Sequence, residues 1–142
     1  MTRVLVFGSF DLIHPGHHYL FKEAKKLGKE LFVVVARDST IKKIKGKNQW
    51  YDENERLKHV QNIKYVDKAV LGNKGDKFKV IEEIKPDIIA LGYDQKSFTD
   101  ELENEMIKRK IKVKIFRISP YKPEIYKSSL LKKKTNYHKL HQ

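Results

Sequence analysis

The sequence predicts an α/β protein with a single domain: a Rossmann-like, doubly wound sheet of five parallel strands in the order 3-2-1-4-5. Short apolar runs at 4–7, 31–36 and 87–91 are typical of strands that are buried on both faces. Helical segments alternate with these runs, which favours a parallel sheet with right-handed crossovers. A chain of 142 residues is long enough for one such core and hardly for two.

The first βα unit follows from local signals. Val4–Phe7 is the first predicted strand, and Gly8 ends it by allowing a sharp turn. Pro15 is expected to open the first helix, because its missing N–H falls among the unpaired donors of a first turn. The second predicted strand begins at Leu31.

The rest of the chain repeats this alternation. Residues 37–50 are basic and rich in turn formers, and we expect them to form a loop. Asp52 with Glu55 is typical of a capping box and predicts a helix to about residue 63. Lys68 interrupts the third strand and places it at an edge of the sheet. The remaining predicted elements are a strand at 66–71, a helix at 76–84, a strand at 87–91, a helix at 98–110, a strand at 111–118 and a last helix at 128–134.

The composition limits the possible functions. The net charge of +13, from 31 basic and 18 acidic residues, attracts anions such as nucleotides, nucleic acid and acidic lipid. The absence of cysteine excludes disulfides, thiolate metal sites and a cysteine nucleophile. No apolar run approaches the length of a membrane span or a secretory signal, so we expect a cytoplasmic protein without a membrane partner. Residues 135–142 are expected to form a basic tail that follows a domain at 1–134.

The stretch GSFDLIHPGH, directly after the first strand, carries the strongest functional signal. A helix N-terminus presents unpaired N–H groups and a partial positive charge, which suit phosphate. His14 and His17 are three residues apart and share one side of a helical turn, and Gly16 keeps side-chain bulk away from a ligand. In the order 3-2-1-4-5, ligands bind in the crevice at the C-terminal ends of the first and fourth strands. The pattern predicts an anion site here, and two surface histidines at an ordinary helix start are the alternative.

GSFDLIHPGH resembles the signature of the nucleotidylyltransferase superfamily, written G-[TS]-F-D-x-x-H-x-G-H. The resemblance implies that the two histidines contact a nucleoside triphosphate and stabilise the transition state as pyrophosphate leaves. It also implies a nucleotide-binding set drawn from this stretch: Ser9, Phe10, Asp11, His14, Pro15, Gly16 and His17.

Three further candidates follow from the same resemblance. Asp94 matches the aspartate of the superfamily's L-G-x-D element, which lies at the nucleotide; a turn aspartate is the alternative. Lys45 matches a lysine that reaches the phosphates, and Lys42 and Lys43 are the alternative candidates for this role. A lysine that is only a solvated surface charge would give the same pattern. Arg56 matches an arginine that lies near the site, and the resemblance implies that it binds the substrate.

Two residues near the C-terminus complete the predicted site. Ser128 takes the place of the superfamily's I-S-S-T element and is expected to bind phosphate at a helix N-cap, although a plain cap gives the same pattern. The sequence departs from the superfamily at Leu130, where threonine is usual. Tyr121, like Phe10, is of a type that stacks on a base, but neither residue separates adenine from cytosine.

The segments ARDSTIKKIKG and LGYDQ most resemble those of archaeal FAD synthases. The resemblance implies a nucleotidylyltransferase that transfers AMP from ATP to FMN. It also implies a divalent cation such as Mg²⁺, held mainly by the phosphates and not by a metal site of the protein. The runner-up is a cytidylyltransferase that uses CTP with glycerol 3-phosphate or a related phospho-alcohol or sugar phosphate.

Two hypotheses lie outside catalysis. A nucleic-acid-binding module is disfavoured because the aromatic residues do not interleave with the basic ones, so we expect no nucleic-acid partner. A nucleotide sensor without turnover is harder to exclude, and a homodimer is an open alternative to a monomer.

Overall fold

The protein contains one sheet of five parallel strands in the predicted order. The computed structural model describes residues 2–45, 50–92 and 96–119, without the side chains of 43–45 and 96–97. The strands are β1 (Arg3–Gly8), β2 (Glu30–Val35), β3 (Lys68–Leu71), β4 (Ile88–Leu91) and β5 (Lys114–Arg117). They pair in the order β3-β2-β1-β4-β5, which confirms the predicted topology and places β3 at an edge.

Helices cover both faces of this sheet. They are α1 (Pro15–Lys25), α2 (Asp38–Lys45), α3 (Glu53–Gln61), α4 (Lys79–Ile84) and α5 (Lys96–Lys108). Val4 and Val6 of β1 belong to the buried cluster that contains α1 and α3, whereas Leu5 belongs to the cluster that contains α4 and α5. Successive side chains of a strand point to opposite faces, so the two clusters are the two cores of a doubly wound sheet. No helix in this described part of the chain has the length and apolar character needed to cross a membrane.

One predicted loop contains a helix. α2 occupies most of the first half of segment 37–50, where the sequence predicts only basic turns. Its residue Ile41 is 4% exposed and anchors the helix on the protein, and the Ile41 N–H donates to the Arg37 carbonyl at 3.1 Å. The run of lysines around Ile41 conceals this single buried contact in the sequence, so the prediction of a loop is wrong here.

The strand registers bring three loops to the same level of one edge. Gly8 pairs with Val35, and Val35 pairs with Leu71, so β1, β2 and β3 end in one row. On the other side, the Ile118 N–H donates to the Leu91 carbonyl at 2.8 Å. The connections that follow the strands therefore leave the sheet together at its C-terminal edge, where ligands bind in folds of this type.

Candidate active site

His14 and His17 form a reciprocal cap at the start of α1. The Gly16 N–H donates to His14 Nδ1 at 3.0 Å, and the His14 N–H donates to His17 Nδ1 at 3.3 Å. The two rings stack, with centroids 3.9 Å apart and planes 28° from parallel. The three-residue spacing thus brings the two imidazoles side by side at the C-terminal edge of the sheet.

The cap determines which nitrogen of each ring carries the proton. A neutral imidazole has one donor nitrogen and one acceptor nitrogen. Because Nδ1 accepts a backbone N–H in both His14 and His17, the proton is on Nε2 in both rings. Nε2 is separated from Nδ1 by Cε1, and its N–H bond diverges from the Nδ1 lone pair, so neither N–H donor is directed at the backbone N–H that Nδ1 accepts. Such a pair suits the oxygens of a phosphate chain.

The first turn of α1 offers fewer free N–H groups than the sequence predicts. Pro15 has no N–H, and the Gly16 N–H is taken by His14. The N–H groups of His17 and His18 both donate to the His14 carbonyl, at 2.9 and 3.2 Å. The helix N-terminus is therefore coupled to the imidazoles, because an N–H that donates to Nδ1 polarises the ring and strengthens the Nε2–H donor.

Phe10 supports the histidine pair from within the core. Its side chain is 3% exposed, and its ring contacts the His17 ring edge-on at 5.2 Å and the Phe21 ring at 5.1 Å between centroids. Its φ of 51° is left-handed, which turns the ring back over β1, and a Cβ on Gly8 would overlap that ring. The ring therefore packs on and positions His17, and its predicted stacking on a base stays a prediction.

Gly16 is needed for space within the cap. A Cβ on Gly16 would lie 2.8 Å from Cε1 of His14, closer than carbon atoms approach without displacement. The glycine of the motif therefore makes room for the His14 ring.

Asp11 ties the β1–α1 loop to the residues that precede α3. Its carboxylate is buried, and its two oxygens accept the N–H groups of Trp50 at 2.7 Å and Tyr51 at 2.8 Å. Hydrogen bonds to an ionised acceptor are among the stronger ones. Asp11 therefore fixes the distance between these two loops.

Arg56 is the largest fully buried side chain of the described residues, and it fastens the same loops from the other side. It donates to the Ser9 carbonyl at 2.8 Å and to the Tyr51 carbonyl at 3.1 Å. It also pairs with the Asp38 carboxylate at 2.8 Å. These three partners belong to the protein, so the geometry favours a positioning role over the direct substrate contact that the sequence predicts.

Glu53, Arg37 and Gly72, which the sequence analysis missed, extend this network. Glu53 accepts from Arg37 at 3.0 Å and from the Asp38 N–H at 2.9 Å. Arg37 in turn donates to the Gly72 carbonyl at 2.7 Å, which links the end of β2 to the end of β3. Each partner is distant in sequence, so no local pattern reveals the network.

The comparisons with known proteins agree with this geometry. Residues 5–134 match the cytidylyltransferase-like family. The chain belongs to this family. An FAD synthase from Thermoplasma volcanium is 51% identical over 134 residues, which cover 94% of each chain. An FAD synthase from Aciduliprofundum boonei is 50% identical over 121 residues, which cover 85% of this chain and 80% of that protein. The crystal structure of a lipopolysaccharide core biosynthesis protein from Thermoplasma volcanium GSS1 is similar with a TM-score of 0.79 and 53% identity, covering 85% of this chain and 98% of that one.

Several residues predicted from the motifs of the cytidylyltransferase-like family lie outside the described residues. These residues are Asp94, Tyr121 and Ser128. The predicted last helix and the predicted tail also lie outside the described residues. Lys45 is the last residue of α2, and its side chain is not among those described. The roles of these four residues stay predictions.

A groove of about 630 Å³ lies between α1 and α3, apart from the histidine pair. Leu12, Ile13, His18, Tyr51 and Tyr65 are among the residues that line it, whereas His14 and His17 are not. The stacked histidine pair therefore does not form this groove.

Proposed function

We propose that this chain is an FAD synthase, which transfers the adenylyl group of ATP to FMN and releases pyrophosphate. The stacked pair of His14 and His17, with an Nε2–H donor on each ring, carries the proposal. The relatives named FAD synthase support the choice of ATP and FMN. Both substrates are available in the cytoplasm, where we propose that the enzyme works.

The reaction needs alignment and charge stabilisation more than it needs a protein nucleophile. An oxygen of the FMN phosphate attacks the α-phosphorus of ATP, and the bond from that phosphorus to the oxygen bridging to the β-phosphate breaks. Negative charge then grows on the departing pyrophosphate, where the two Nε2–H donors stabilise it. A preorganised donor of this kind is worth a factor of about 10²–10³ in rate, and holding both substrates in line supplies much of the remainder.

A divalent cation fits this site as a companion of the triphosphate. Both oxygens of Asp11 accept backbone N–H groups, so this carboxylate is already engaged. Within 2–45, 50–92 and 96–119, no three His, Asp or Glu side chains are placed to hold an ion together. Mg²⁺ that is bound by phosphate oxygens and water needs no such group, and it neutralises phosphate charge when present.

The remaining predicted residues have proposed roles around the same substrates. Lys45 reaches the phosphates from the end of α2, and Ser128 binds phosphate at the start of the predicted last helix. Asp94 accepts hydrogen bonds from ribose or base, and Tyr121 packs on the base. Ser9, Asp11, Pro15 and Gly16 shape the loop beneath the triphosphate.

A pyrophosphate-release assay tests the substrates. ATP and CTP are each supplied with FMN, glycerol 3-phosphate or a heptose phosphate, and the products are separated by chromatography. We expect FAD from ATP with FMN and background release elsewhere. Turnover with CTP alone would establish a cytidylyltransferase, and ATP or CTP binding without turnover would establish a sensor.

Two variants test the residues that carry the chemistry. Since each donor contributes a factor of about 10²–10³, His17→Ala is expected to lower kcat by that amount with little change in fold. Lys45→Ala is expected to lower kcat more than Lys42→Ala, which removes a similar charge one turn earlier in α2. Equal effects of the two lysine variants would remove the specific role of Lys45.

A further inference from the structure

The amide of Asn73 holds the one buried side-chain polar atom without a hydrogen bond in the described part of the chain. Its Oδ1 is shielded from solvent and has no hydrogen-bond partner among the described residues, although the residue as a whole is partly exposed. Buried amide oxygens are nearly always paired, because an unpaired one costs free energy. An exception in a folded protein therefore requires an explanation.

The backbone around Asn73 is fastened on both sides, so the loop is not simply loose. Before it, the Gly72 N–H donates to the Val35 carbonyl at 3.0 Å, and Arg37 donates to the Gly72 carbonyl at 2.7 Å. After it, Asp76 accepts from the Phe78 N–H at 3.0 Å and pairs with Arg109 at 2.9 Å. The unpaired amide is thus held in place by its neighbours.

Asn73 lies at the same edge of the sheet as the histidine pair. It follows β3 by two residues, and the register places the end of β3 in one row with the ends of β2 and β1. Neighbouring strands are about 4.8 Å apart, so β3 is about 10 Å from β1. Asn73 is therefore separated from the triphosphate site by roughly the length of a small substrate.

We expect the acceptor substrate to bind at the part of the C-terminal edge formed by β2 and β3. In a sheet with this order the ligand crevice lies between β1 and β4, so we expect the nucleotide to lie over β1 and to extend towards β4. The attacking oxygen must approach the α-phosphorus opposite the leaving pyrophosphate. At the ends of β2 and β3, the hydrogen bond from Arg37 to the Gly72 carbonyl joins the two loops, and Asn73 is the next residue in the chain.

The chemistry of a primary amide matches one end of FMN. The isoalloxazine ring ends in an imide, an N–H flanked by two carbonyl oxygens. The oxygen of a primary amide accepts hydrogen bonds, so it can pair with the imide N–H. A half-turn about χ2 of asparagine exchanges its oxygen and nitrogen, so the buried oxygen can turn towards a ligand without backbone movement.

We propose that Asn73 is a specificity-determining residue that binds the imide edge of the flavin ring of the acceptor substrate. The proposal rests on the proposed FAD synthase function, since it assigns the far end of FMN to the β3 side of the site. The unpaired oxygen of the free protein gains its partner when FMN binds.

The test compares Asn73→Ala with the wild type in FMN affinity, steady-state kinetics and thermal unfolding. Loss of one such hydrogen bond is expected to raise the KM and Kd for FMN about tenfold. The KM for ATP is expected to change less than about twofold, because ATP does not reach β3. The melting temperature is expected to stay level or rise, because the variant removes an unpaired buried acceptor. A residue with only a structural role would lower stability and raise both KM values.

N3-methyl-FMN provides a test that needs no folded variant. The methyl group removes the imide donor, so the wild type is expected to bind it about tenfold more weakly than FMN. In Asn73→Ala this ratio is expected to fall close to one. Asn62→Ala is the matched control, since Asn62 is an exposed amide after α3 and away from this edge.

Two outcomes distinguish a failure of the Asn73 proposal from a failure of the proposed FAD synthase function. If the wild type makes FAD and Asn73→Ala keeps its FMN affinity and its preference for FMN over N3-methyl-FMN, the inference is wrong and the proposed function stands. If the wild type makes no FAD from FMN and ATP, the proposed function fails and the role of Asn73 fails with it.

Discussion

Replacing Arg56 with methionine removes the contacts that hold the candidate site together. Methionine keeps a long unbranched side chain but loses the guanidinium, which donates to Ser9 at 2.8 Å, to Tyr51 at 3.1 Å and to Asp38 at 2.8 Å. We expect the variant to fold less stably and to align its substrates less well.

The size of the effect follows from these contacts. Two carbonyls lose a donor, at about 1–2 kcal/mol each. Asp38 loses this ion partner, but its side chain is 36% exposed, so water compensates for part of the loss. We therefore expect the free energy of unfolding to fall by about 3 kcal/mol, the lower end of the range for a broken buried pair. For a chain of this length, that corresponds to a decrease in Tm of about 10 °C.

Urea unfolding and steady-state kinetics below the melting range test both consequences. Arg56→Lys keeps the charge but not the planar fork, so it is expected to recover part of the stability and of kcat. Lys58→Met, on the exposed side of α3, is the matched control and is expected to change stability by less than about 0.5 kcal/mol. An Arg56→Met protein as stable as that control would refute the energetic argument. A folded Arg56→Met protein with unchanged kcat would refute the positioning role.

Three further predictions follow from other contacts. His14→Asn keeps a side chain that can cap α1, so we expect Tm within a few degrees of wild type and a kcat lowered about 10²-fold; His14→Ala is expected to lose about 1 kcal/mol of stability as well. Asp11→Asn replaces one of the two acceptor oxygens with an NH2 donor, so one backbone N–H loses its partner and the emission of Trp50, the sole tryptophan, is expected to shift as its loop loosens. The hydrogen bond from Arg109 holds the pKa of Asp76 below its usual value, so this carboxylate stabilises the fold above about pH 4 and that contribution is lost as pH falls through the lowered pKa. In urea unfolding, the deficit of Asp76→Asn is thus expected to be full at neutral pH and to vanish in acid.

Each of these measurements has a control on the same element or near it. His18→Ala removes a histidine outside the stacked pair and is expected to keep kcat, so a loss equal to that of His14→Asn would argue against a specific role of the pair. Asn54→Ala changes an exposed residue that follows Trp50 closely in the chain, and it is expected to leave the emission unchanged. Asp100→Asn, an exposed carboxylate of α5, is expected to show no deficit that depends on pH. Parallel acid curves for the Asp76 and Asp100 variants would contradict the assigned ion pair.

The strand order can be predicted because short apolar runs and their alternation with helical segments are visible in the sequence. The runs around Val4, Leu31 and Ile88 are apolar because both faces of those strands are covered, and this is visible in any short window of sequence. The cap at Asp52 and Glu55 was predictable for the same reason, since its two partners are three residues apart. α2 was not predictable, because one buried isoleucine outweighs its charged surroundings only when the surface on which it packs is known.

Local sequence signals are enough to locate the two histidines, because a strand, a proline-started helix and a spacing of three bring both rings to one helix end. The roles of the surrounding residues, by contrast, depend on contacts that form only when the chain folds. Asp11 meets Tyr51, Arg56 meets Ser9, and Arg37 meets Gly72 across long stretches of chain. Such pairs depend on how the loops converge at the sheet edge, and the proton position on each imidazole depends in turn on the backbone N–H that reaches it. Chain folding alone brings these groups within hydrogen-bond distance, so the roles of these residues appear only in three dimensions.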